Sequence, residues 1–143
     1  MNVDRIPLVR LRSFLLVPIH VELTDRLVMQ LKDDVTRAVE ARSVAGVIFD
    51  LTGIDFMDSF ISRAIRDVSL MTRLMGVPTV LCGMHPSIAI TIVEMGVELQ
   101  GIPMVLDLDN ALEQLESART NTRAGGDEFI VDEEADGVDV VFG

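Results

Sequence analysis

Asp50, Asp55 and Asp58 follow closely on the apolar run Gly46–Leu51, and acids at the carboxyl end of a parallel strand occupy the place where α/β folds bind ligands. A phospho-aspartate receiver would use such an acid, but it also needs metal-binding acids after its first strand and a lysine near its last. Here Arg12 and Ser13 follow the first strand, and the one lysine, Lys32, falls inside the first helix. The trio therefore reads as loop-organising aspartates, Asp50 and Asp55, followed by a helix cap, Asp58. His20 and His85 have no acid or second histidine at the i+3 or i+4 spacing of a helical ligand pair. No GxxxxGK, GxGxxG or GxSxG pattern occurs. Cys82, alone in an apolar segment, reads as an inert buried thiol. The expectation is a protein without metal, cofactor or catalytic apparatus.

Ser59 is the remaining candidate. With Asp58 as N-cap, it occupies the first turn of a helix, where unpaired N–H groups and the helix dipole favour an added anion. At about 100° per residue, Arg63, Arg66, Leu70 and Arg73 lie within about 60° of Ser59. Ile61, Ala64, Ile65, Val68, Thr72 and Met75 form the opposite, core-facing side. Ser59 should face solvent on a stripe mixing arginines with one leucine.

The elements that position this helix follow from periodicity. Ile6–Leu11 and Phe14–Ile19, split by Arg12-Ser13, suit a β-hairpin. Thr24 caps a first helix, with Leu23 and Val28 as a hydrophobic staple, running to about Arg42. Gly46–Leu51 is a strand covered on both faces. The second helix stops at Gly76 and is followed by a strand over Val77–Cys82. A third helix starts at Pro86 and stops at Gly96. Pro103–Leu106 is a last strand, and Asp109 caps a fourth helix. The order β-β-α-β-α-β-α-β-α predicts an α/β fold of about five strands and four helices, a mostly parallel mixed sheet with an antiparallel edge strand from the opening hairpin.

The chain has 143 residues and a formal charge of −11. Its length suits one domain, expected over residues 1–119. Residues 124–143 hold seven acids and no base, against 16 acids and 12 bases in the rest. Residues 120–143 read as an acidic, flexible tail, with Phe129–Val131 and Val138–Phe142 as pieces able to dock on a neighbour. An acidic chain with no Trp or Tyr has neither the basic stripe nor the stacking platform of a nucleic-acid binder, and the same charge disfavours anionic membranes. One cysteine excludes an internal disulfide. With no transmembrane run or signal pattern, the expected location is the cytoplasm.

The stretch Val47–Gly96 resembles the STAS domains of bacterial sigma-factor regulation, related to anti-sigma factor antagonists, and looks most like the RsbS-type stressosome scaffold. The resemblance is carried by VPIHVELTD, by Asp58-Ser59 with Phe60 and Ile61, by Leu74–Gly76, and by Gly83-Met84 through Pro86 to Ala89-Ile90-Thr91. It covers roughly residues 5–118; the acidic extension departs from the family pattern. The resemblance implies a STAS fold, a non-enzymatic scaffold, and phosphorylation of Ser59 by an RsbT-type switch serine kinase that the unphosphorylated scaffold sequesters. It implies RsbR-type STAS paralogues as partners in a large cytoplasmic oligomer, and Asp58, Arg63, Arg66 and Leu70 as the partner-binding switch surface. Thr91 is conceivable as the counterpart of a second phosphoacceptor, although a buried helical threonine is expected there; Ser62, one turn after Ser59, lacks the family match. Two alternatives stand: a monomeric anti-sigma factor antagonist that binds a kinase-type anti-sigma factor, and a small-molecule-binding or catalytic α/β module.

Overall fold

A computed structural model describes residues 5–20, 22–97, 99, 101–124 and 138–141. β1 (Leu8–Leu11) and β2 (Phe14–Pro18) form the expected hairpin, with Leu11 opposite Phe14. Its two-residue turn holds Arg12 at φ 59°, the left-handed region that an L-residue enters at a cost. Arg119 donates to Ser13 Oγ at 2.7 Å and ties this turn to the last helix.

β3 (Gly46–Asp50) pairs parallel with β2, β4 (Thr79–Cys82) with β3, and β5 (Met104–Val105) with β4. The predicted α/β STAS-type sheet, antiparallel at the hairpin and parallel beyond it, is therefore present. Helices α1 (Asp25–Arg42), α2 (Ser59–Leu74), α3 (Pro86–Met95) and α4 (Leu108–Ala124) alternate with the strands. A sixth strand, β6 (Val138–Val141), pairs antiparallel with the outer edge of β1, giving the order β5-β4-β3-β2-β1-β6. Five strands were expected, so this edge strand is a difference.

Alternation along the strands divides the core. Leu15, Val17, Val47, Phe49 and Leu81 pack under α1, α2 and α3. Phe14, Ile48, Val80 and Cys82 point the other way and meet Ala111, Leu112 and Leu115 of α4. Both faces of β3 are thus covered, the physical reason for its continuous apolar run.

The termini of the elements refine the sequence reading. Thr24 caps α1, its hydroxyl accepting from Leu27 N at 3.1 Å. Asp107, not Asp109, caps α4: Asp107 Oδ1 accepts from Asn110 N at 3.0 Å, and Asp109 lies inside the first turn. α2 ends at Leu74, leaving Met75 as C-cap and only half-buried rather than on the core face. α4 runs to Ala124, past the boundary expected at 119, and β6 forms within the predicted tail. The mobility expected of the remainder, and docking by Phe129–Val131 or Phe142, concern residues outside the described ones.

Candidate functional site

α2 begins where β3 has delivered the chain to the carboxyl edge of the sheet. Asp50, the last residue of β3, holds the loop: its Oδ1 accepts from Thr52 N at 3.0 Å and from Thr52 Oγ1 at 2.6 Å. His85 Nε2 lies 2.8 Å from Thr52 O and links this loop to the start of α3. Gly83, at φ 78°, passes so close that a Cβ would collide with Thr52 Oγ1 and Asp50 Oδ1. The loop before α2 is braced from two sides.

Asp58 is the N-cap of α2. Its Oδ1 accepts from Ile61 N at 2.8 Å, and its carbonyl accepts from Ser62 N at 3.0 Å. Those bonds use the third and fourth amides of the helix start, while the amides of Ser59 and Phe60 remain outside the helix's own ladder. Ser59, the first helical residue, is exposed. Arg63 is exposed, Arg66 half-buried and Leu70 38% exposed. Of the five residues singled out from the sequence, Ser59, Arg63, Arg66 and Leu70 lie on one stripe along α2, and Asp58 caps the helix just before it. Arg66 is already engaged by Asp67 Oδ1 at 3.1 Å, which leaves Arg63 as the nearest arginine of the stripe without a partner among the described residues.

The two other hydroxyl candidates fall elsewhere. Ser62 is 1% exposed and its hydroxyl donates to Asp58 O at 2.9 Å. Thr91, expected to be buried, is half-buried instead and donates to Ser87 O at 2.9 Å. It lies on α3, away from the stripe.

Apolar groups beside the stripe were not found from the sequence as a surface. Phe60 is 38% exposed and Met29 of α1 is 71% exposed. Together with Arg63, Lys32, Asp25 and Asp67 they line a groove of about 390 Å³ between α1 and α2. Phe60 lies about 100° from Ser59, and Met29 is off the Leu27-Leu31-Val35 face. Both signals were in the helical wheel. A second cleft, about 310 Å³, lies beside Phe56, Asp55, Gly53, His20 and Glu22.

Burial, followed by the nearby carboxylates of Asp50 and Asp107, pushes the Cys82 thiol up to about 12. It is therefore a neutral thiol, without nucleophilic character at ordinary pH. Among the described residues no group of three His, Cys, Asp or Glu side chains is placed to hold a metal ion, and no helix is long and apolar enough to cross a membrane.

Comparison with known proteins adds to this geometry. A family model described as "STAS domain" matches residues 5–111. A serine-to-glutamate variant of RsbS from Moorella thermoacetica superposes with a TM-score of 0.71 at 28% identity, covering 80% of this chain and 97% of that one. A chain from the molecular architecture of the stressosome, described as a signal integration and transduction hub, gives a TM-score of 0.68 at 29% identity, covering 83% and 96%. The RsbT co-antagonist protein RsbRD of Bacillus subtilis is 24% identical over 97 residues, 68% of this chain but 35% of that protein, so the chain spans about a third of that relative's length.

Proposed function

The chain belongs to the STAS domain family, with the stressosome and anti-sigma factor antagonist proteins as its relatives, and from that premise we propose that it is a non-enzymatic, cytoplasmic scaffold of RsbS type. It holds an RsbT-type switch serine kinase and releases it when Ser59 is phosphorylated. The observation that carries this reading is the exposed Ser59 at the first position of α2, next to its cap Asp58 and on one stripe with Arg63, Arg66 and Leu70. Its other partners are RsbR-type STAS paralogues, with which it builds a large assembly.

The mechanism is local electrostatics. A phosphate on Ser59 adds about −1.5 to −2 charge at pH 7. The helix start tolerates it, because the dipole and the unladdered amides face it. Asp58, whose bond to Ile61 N persists, keeps the helix formed. The new charge repels acidic groups of a docked partner and draws Arg63 away from any intermolecular bond. The switch thus alters the binding surface without unfolding the domain.

Incubation with an RsbT-type kinase and ATP, followed by phosphosite mapping and co-purification, tests the proposal. Phosphate on Ser59, with Ser59→Ala retaining the kinase permanently and Ser59→Asp weakening its binding, is the expected result. Phosphate on Thr91 with Ser59 unmodified, or release of the kinase from Ser59→Ala, would overturn it.

A further inference from the structure

β6 is joined to the domain only through residues 125–137, which separate it from the end of α4. Fully extended, a connection of that length spans on the order of 45 Å, enough to cross a domain of this size. The tether therefore does not oblige Val138–Val141 to pair with the β1 edge of its own chain.

The edge itself selects this strand by charge as well as by backbone. Leu8 to Leu11 pair with Val141 to Val138 in an antiparallel ladder, which places Asp139 opposite Arg10 in register. Opposite charges across a strand pair are favourable and like charges are not. Arg5 and Arg12 flank β1, whereas residues 124–143 carry seven acids and no base. Two β1 edges brought face to face would juxtapose their arginines; β6 of either copy brings Asp139 to Arg10.

We propose that the β1 edge is an interaction surface for a second copy of this chain, the Val138–Val141 strands of two copies being exchanged so that each pairs antiparallel with the other's β1. The ladder and its register are the same in either arrangement. Pairing within one chain competes through the effective concentration set by the length of the connection, of order mM. Exchange therefore rises with concentration, and it is independent of Ser59.

Cysteine trapping tests this. Val9 and Val140 are Cα partners, and facing residues of an antiparallel pair, about 4.5–5.5 Å apart, lie within disulfide range. Two differently tagged full-length chains, one Val9→Cys and one Val140→Cys, each also Cys82→Ala, are mixed and oxidised after circular dichroism confirms that both are folded. The expected product is a mixed-tag disulfide dimer whose yield rises at least about tenfold between about 10 µM and 1 mM. Asp139→Arg in the Val140→Cys chain should suppress it, and Arg10→Asp in the other chain should restore it. No mixed dimer at 1 mM, while a single chain carrying both cysteines closes on itself, overturns the proposal. So does failure of that double-cysteine chain to close at all, which removes β6 from the edge, and so does a product joined only through two Val9→Cys positions, which pairs β1 with β1.

Discussion

Ser59 and Ser62 share a helix and meet opposite surroundings, one in solvent and the other enclosed with its hydroxyl on Asp58 O. Asp58 therefore supports two residues of the first turn at once. Asp58→Ala should lower stability by about 1 kcal/mol, the usual cost of a lost N-cap, whereas Ser59→Ala should stay within about 0.5 kcal/mol; urea denaturation of both variants separates cap from switch. Cys82 gives a pH dependence. Its thiol is raised from 9.0 to about 12 in the folded chain, so the unfolded chain loses the proton first. Cys82 thus contributes stability fully below pH 9 and loses that contribution as pH rises from 9 towards 12. Stability measured against pH should fall over that window and fall less in Cys82→Ala. The Asp58-Ser59 step and the outward stripe were legible because 100° spacing fixes helical faces. The Phe60–Met29 groove was not, because it needs the relative placement of two helices.

At the scale of elements, strands and helices were legible wherever a pattern is local: the Thr24 and Asp58 caps, Pro86 at the start of α3, and Gly96 after its end. Asp107 and Asp109 are equally good cap types, and only the reach of Asp107 to Asn110 N decides between them. β6 was hidden because its partner, β1, lies at the other end of the chain and its valines alternate with an acid that reads as solvated. Asp34 comes seven residues after Leu27 and three after Leu31, on the apolar side of α1, and it is 0% exposed, receiving Gln30 Nε2 at 3.0 Å with Arg5 Nε at 3.5 Å from its other oxygen. That second oxygen has no hydrogen bond, so the ion pair is its main compensation. Arg5→Ala should cost about 1–3 kcal/mol, as expected when a buried polar group loses its partner, and Asp34→Asn on the Arg5→Ala background should recover part of the loss in thermal melts.

For the whole molecule, the proposed scaffold role requires repeated contacts that close on themselves, the common outcome for soluble assemblies. Mixed with an RsbR-type partner, the chain should form large particles by light scattering; persistent monomers or dimers at micromolar concentration would favour a lone anti-sigma factor antagonist. The two faces of the sheet also differ in how they are held. Among the described residues, three helices cover one face, while α4 alone, through Ala111, Leu112 and Leu115, covers the other. Cys82 belongs to that second layer. The chain consequently carries its own reporter of partial opening: uptake of a thiol reagent under native conditions counts the excursions in which α4 lifts from the sheet, while the three-helix layer stays closed. Leu115→Ala, which removes a buried side chain from beneath α4, should speed that uptake by about 10-fold or more. Leu81→Ala, whose side chain lies in the opposite layer, should lower global stability with a smaller effect on the labelling clock.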